Sequence, residues 1–145
     1  MDTDYYCHRS IGRIEYDPKK GTKHFVDWWA LLVCDQGIVD YYCWHSVKYG
    51  RPIQRNLLWG AHVSAVKGEE PVNKELWGHD WGQIDLWHTN TIRYDIGCHA
   101  WLDVWCPKLH EIREALGLSP KVNFGGHPRH FHLTLGRWAT GEDGK

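Results

Sequence analysis

The chain has 145 residues, enough for one domain with a self-sufficient core. Its formal charge of −1 argues against a partner as long and anionic as duplex nucleic acid, which is normally met by a basic face; a small nucleotide or a short end fits better. Five cysteines, an odd set with no C-x-x-C spacing, argue against a secreted disulfide framework and for free thiols. With no charged-then-apolar leader and no apolar run of bilayer length, the expectation is a soluble, cytoplasmic protein with no membrane partner.

Taken in order, residues 11–16 and 23–33 read as a strand pair around the turn Asp17-Pro18-Lys19-Lys20-Gly21, where proline presets φ and glycine accepts a positive φ. Residues 28–33 are apolar on both faces, which predicts a central strand. Asp35 is placed to cap a helix carrying Ile38, Tyr41, Tyr42, His45 and Tyr49 at helical spacing, ended by Gly50-Arg51-Pro52. A connection over 51–58 leads to a strand at 61–66, and a polar loop with one helical turn runs over 68–83. Strands follow at 84–88 and 92–105, the second long and interrupted by Gly97. Pro107 suits the first position of a helix with Leu109, Ile112 and Leu116 as its apolar stripe and Gly117 as its stop. A Gly/Pro-rich loop over 119–128 precedes a last strand at 130–137, and 139–145 is expected to be a flexible tail outside a 10–138 core. The whole of 1–145 is expected to form one domain.

Two of these strands carry the same device. In His62-Val63-Ser64-Ala65 the histidine and serine share one face; in His132-Leu133-Thr134-Leu135 the histidine and threonine do. If the two faces open on one cleft, two imidazoles flank a space with a hydroxyl beside each. A neutral histidine removes a proton from an attacking hydroxyl and a protonated one gives a proton to the leaving oxygen, both within reach of an imidazole with an ordinary pKa of about 6.5. Ser64 and Thr134 donate hydrogen bonds to the non-bridging phosphate oxygens as charge builds there. The pattern points to phosphodiester cleavage with His62 and His132 catalytic, Ser64 and Thr134 binding phosphate, and no metal or other cofactor.

Other uses of these residues are open. A single His-x-Thr arises on any half-exposed strand, and the chain has 11 histidines. His127, His130 and His132 with a cysteine offer a zinc set, which leaves His62, Ser64 and Thr134 without a part. No Gly-x-Ser-x-Gly elbow is present to support a serine nucleophile. Of ten tryptophans and seven tyrosines, most are expected in the core. Tyr5, Tyr6, Trp77 and Trp81 lie in segments without strand or helix periodicity and are the candidates for stacking on bases. Arg129 and Arg137 are candidates for drawing in a phosphate.

With these motifs in view, the chain resembles the 2H phosphoesterase superfamily, defined by two His-x-Thr/Ser motifs on strands of two pseudo-symmetric lobes. The strings around them, Trp59-Gly60-Ala61-His62-Val63-Ser64-Ala65-Val66-Lys67-Gly68-Glu69-Glu70-Pro71 and Phe131-His132-Leu133-Thr134-Leu135-Gly136, are similar to small bacteriophage anti-CBASS nucleases, which destroy cyclic oligonucleotide immune signals. The resemblance implies an α+β fold of two lobes, with antiparallel sheets forming a central cleft and helices packed outside. It implies metal-independent attack of a ribose 2′-hydroxyl on the neighbouring 3′–5′ phosphodiester of a small cyclic oligonucleotide, in the cytoplasm of an infected bacterium. The same constellation serves a phosphodiesterase of RNA 2′,3′-cyclic ends or 2′–5′ links. A protein that sequesters a nucleotide without cleaving it is the alternative outside enzymes.

Overall fold

The computed structural model describes residues 2–18, 26–55, 60–95, 98–124 and 127–138, without the side chains of 123, 124 and 127–129. Among the described residues, ten strands and two α-helices run in the order β1 (His8–Tyr16), β2 (Trp29–Val33), α1 (Gln36–Lys48), β3 (Ile53–Arg55), β4 (His62–Lys67), β5 (Ile84–His88), β6 (Arg93–Tyr94), β7 (His99–Trp105), α2 (Pro107–Ala115), β8 (Val122–Phe124), β9 (His127–Arg129) and β10 (His132–Trp138). All pairings are antiparallel. The architecture is α+β. Six strands close a barrel, β10-β4-β2-β1-β5-β7, because β7 also pairs with β10; β3 and β6 flank it. The tail at 139–145 and the turn at 19–25 lie outside the described residues.

β1 starts earlier than its apolar pattern predicts, because its two halves serve different neighbours. His8–Gly12 pair with β5 and Arg13–Tyr16 pair with β2. Gly12 sits at the changeover, where a Cβ would come within 2.6 Å of the Val33 carbonyl oxygen; only glycine lets β2 approach so closely. β2 is central, between β1 and β4, as its two apolar faces require. Asp35 caps α1, its carboxylate accepting from the Gly37 N–H at 2.8 Å.

Three departures from the sequence pattern have local causes. Residues 92–105 are not one strand. The chain reverses between β6 and β7, with Cys98 at a φ of 67° and its N–H on the Asp95 carbonyl at 3.2 Å. Arg93 thereby lies opposite Trp101. β3, three residues long, falls within the connection predicted for 51–58 and is too short to show a period. β8 and β9 form a two-stranded hairpin where a Gly/Pro-rich loop was expected.

One face of the sheet is apolar and carries both helices. Val63, Ala65, Leu86, Leu102, Leu133 and Leu135 are fully buried, in one cluster with Val39, Tyr42 and Cys43 of α1 and Leu109, Ile112 and Leu116 of α2. Arg113 of α2 is fully buried too and spends its guanidinium on five acceptors. Nε and the two terminal nitrogens reach the carbonyls of Ser119 (2.6 Å), Ala65 (2.9 Å) and Lys121 (2.7 Å) and both carboxylate oxygens of Glu69 (2.9 and 2.8 Å). The planar fork thus ties α2 to β4 and to the segment beyond each. All five cysteines are free, and burial pushes the Cys34 and Cys106 thiols up to about 12 and about 11. Among the described residues no helix is long and apolar enough to cross a membrane.

Candidate active site

β4 and β10 pair at one position, Val63 opposite Leu133. Directly paired residues share a face, and here both belong to the helix-covered core. The residues on either side of each therefore turn to the other face: His62 and Ser64 on β4, His132 and Thr134 on β10. The antiparallel sense sets His62 across from Thr134 and Ser64 across from His132. The two histidines are diagonal neighbours, a relationship that separates residues by about 7–8 Å. His62 is 6% exposed, and the other three are half-buried.

His62 Nδ1 lies 2.9 Å from the Gly60 carbonyl oxygen. A carbonyl only accepts, so Nδ1 carries the proton and the neutral ring keeps its lone pair on Nε2. An indole stands beside each imidazole. Trp29 of β2 meets His62 edge to face, centroids 6.4 Å apart at 79°, and its Nε1–H donates to Ser64 Oγ at 3.1 Å. Trp101 of β7 meets His132 at 6.2 Å and 64°.

Beyond His132, β7 brings a charged network. Asp103 is directly opposite His132. Its carboxylate accepts from Trp101 Nε1 at 3.0 Å, from Arg93 at 3.3 Å and from the Tyr5 hydroxyl. The bond to Asp103, with burial second, raises the Tyr5 phenol above its ordinary range. The Lys67 ammonium lies 5.0 Å from the Trp29 ring centroid, its pKa lowered by burial.

A bulge supplies a further cation. The β10–β7 register runs Thr134 opposite Trp101, then Gly136 opposite Ala100, leaving Leu135 as the extra residue. Strict alternation puts Arg137 on the apolar face. The bulge moves it opposite His99, on the side of the sheet that carries Trp101, Asp103 and Thr134. Gly136 makes this possible: its φ is 148°, and a Cβ there would meet the Gln54 carbonyl oxygen at 2.1 Å.

The predicted site residues are distributed as follows. His62, Ser64, His132 and Thr134 share one face of adjoining strands, and Tyr5 joins them through Asp103. Tyr6 packs against Trp105, 6.3 Å between centroids. Trp77 and Trp81 do not join this group. Trp77 packs on Tyr16 and Trp28 and donates to Asp17 at 3.0 Å; Trp81 donates to the Tyr16 hydroxyl at 2.9 Å. His130 precedes β10 and is exposed, because the ladder to β7 begins only at His132. The side chains of His127 and Arg129 lie outside the described residues, and among the described ones no three His, Cys, Asp or Glu gather as metal ligands. Trp29, Trp101 and Asp103 were not singled out by sequence pattern. The legible signal was that Trp101 and Asp103 alternate with the core positions Ala100, Leu102 and Val104.

No known protein family, no curated protein and no solved structure matches this chain.

Proposed function

We propose that the chain is a phosphodiesterase of the 2H type that cleaves 3′–5′ bonds of a small cyclic oligonucleotide. The observation that carries this reading is the Val63–Leu133 pairing, which sets two His-x-Ser/Thr motifs on one face as diagonal neighbours. His62 is the base: its Nδ1 proton goes to the Gly60 carbonyl, so it acts through Nε2. It takes the proton of a ribose 2′-hydroxyl as that oxygen attacks the adjacent phosphorus. The bond from phosphorus to the 5′-oxygen breaks, and His132 gives its proton to that oxygen. A 2′,3′-cyclic phosphate and a free 5′-hydroxyl result, with His62 protonated and His132 neutral. Water then opens the cyclic phosphate with the roles exchanged.

Ser64 and Thr134 hold the non-bridging oxygens, with Trp29 fixing the Ser64 hydroxyl. The donors and both proton carriers come from the chain, so the step needs no metal. Lys67, Arg93 and Arg137 favour a phosphate on this face, while the net charge of −1 suits a compact substrate over a long polyanion. Trp101 and Tyr5, both half-buried, offer ring surfaces for bases. The two-lobed form expected of such enzymes is supported by the narrow seam, where β4 and β10 pair at one residue. On the resemblance to bacteriophage anti-CBASS nucleases, the role proposed for this activity is evasion of CBASS immunity.

Purified protein incubated in EDTA with cyclic dinucleotides, cyclic trinucleotides and 2′,3′-cyclic mononucleotides tests this. Linear products ending in a 2′,3′-cyclic phosphate or 3′-phosphate are expected. Turnover of the mononucleotides alone would overturn the substrate, and recovery of every ligand intact would overturn the activity.

A further inference from the structure

A cleft lies on the other side of the sheet from the two histidine motifs, between α1 and the facing ends of β1 and β5. It has a volume of about 480 Å³, in the range of sites for small organic ligands. His8 pairs with His88 and Ser10 with Leu86, which places these side chains on the helix-covered face; α1 supplies the opposite wall. Rings dominate its lining. His8 and His88 are 5.3 Å apart at 31°, Tyr42 stands at 87° to His88 at 6.1 Å, and Tyr41 stands at 90° to Tyr42 at 4.9 Å.

His88 is the observation that points to a ligand. It is 5% exposed, and its Nδ1 is 2.8 Å from the Thr89 carbonyl, so Nδ1 carries the proton. Nε2 is left as an acceptor with no hydrogen-bond partner among the described residues. No buried side-chain nitrogen or oxygen among the described residues is both sealed from solvent and unpartnered, so this nitrogen keeps contact with solvent, and His88 lines the cleft. Asp35, which caps α1, and Asn90 also line the cleft.

The charges at the cleft disfavour an anion. Two first-turn amides of α1 are already used, Gly37 N–H by the Asp35 carboxylate and Ile38 N–H by the Asp35 carbonyl. Arg9 is held by Asp85 at 2.6 Å. Asp35 is itself negative, and burial favours the neutral form of His88.

We propose that this cleft binds a neutral planar heterocycle with N–H donors, of nucleobase or nucleoside chemistry, stacked among Tyr41, Tyr42 and His8 with His88 Nε2 accepting one N–H. The site is separate from the proposed reaction, and nucleosides contain no phosphodiester, so its test does not depend on catalysis.

The test is titration with adenosine, guanosine, cytidine and uridine, followed by NMR of the histidine ring protons. Saturable shifts of His8 and His88 are expected for at least one nucleoside, with His62 and His132 unmoved. His88→Phe keeps a ring and removes the acceptor, and should weaken binding by about tenfold, the size of one neutral hydrogen bond. Tyr41→Ala, at a residue 52% exposed and so tolerant of truncation, should also weaken it. Absence of shifts at millimolar nucleoside overturns the proposal, as does unchanged affinity in Tyr41→Ala. Tighter binding of the corresponding 5′-monophosphate would overturn the neutral-ligand assignment.

Discussion

Trp29 donates its indole N–H to the Ser64 hydroxyl at 3.1 Å while its ring stands edge-on to His62. One side chain of β2 thus orients the hydroxyl of the first motif and walls its imidazole. Trp29→Phe keeps most of the ring and loses the donor. Because the Ser64 proton is then free to point elsewhere, turnover should fall about two- to tenfold, the worth of one neutral hydrogen bond, with KM changed less than kcat. Steady-state kinetics of this variant beside Ser64→Ala checks it. If the two act through the same contact, the double variant should lose no more than Ser64→Ala alone.

The bulge at Gly136 places Arg137 on the site's face and lets β3 approach β10. A Cβ at this position meets the Gln54 carbonyl at 2.1 Å, and the φ of 148° is foreign to other residues. Gly136→Ala should cost about 2–3 kcal/mol, read as a drop in the urea midpoint. Arg137→Ala leaves the backbone intact, so it should preserve stability while raising KM for a phosphate substrate, and more so at low salt.

Arg113 has no exposed surface and joins α2 to the Ala65 carbonyl of β4. Arg113→Met removes the cation and leaves Glu69 and three carbonyls short of a donor. A loss of about 3–5 kcal/mol is expected, measured by chemical denaturation. Lysine should not rescue it, since one ammonium cannot reproduce the fork.

His88 makes stability depend on pH. Burial holds its pKa below the ordinary value, outweighing the opposing bond to the Thr89 carbonyl. Between the lowered folded value and about 6.5, the unfolded chain binds a proton that the native chain does not. Stability should therefore be fully present above about pH 6.5 and fall as pH drops through that window. Melting temperatures at several pH values, compared with His88→Phe, check this; the variant should show a flatter acid limb.

Much of the architecture was visible in side-chain period and punctuation. Asp35 as cap, Pro107 at the start of α2 and the doubly apolar β2 each follow from local chemistry and appear where that chemistry puts them. What was hidden depended on pairing. The polar His8-Arg9-Ser10 segment is a strand because β5 lies beside it, and the stretch read as one strand over 92–105 holds two, β6 and β7, paired antiparallel. The two motifs were legible as faces of strands, but their adjacency rests on Val63 meeting Leu133, which no local pattern encodes. The same holds for Asp103, whose place opposite His132 is set by the β7–β10 register. Trp77 and Trp81, conspicuous in a polar segment, proved to be bound to Tyr16 and Asp17.

The measurement that bears most directly on the two-histidine account is the single-turnover rate of a cyclic dinucleotide with wild type, His62→Ala and His132→Ala, in EDTA, each variant first shown to be folded by its melting curve. Each substitution is expected to lower the rate by at least about 10²–10⁴, the contribution of one acid or base, with substrate binding largely kept. A rate near wild type in either folded variant would contradict it.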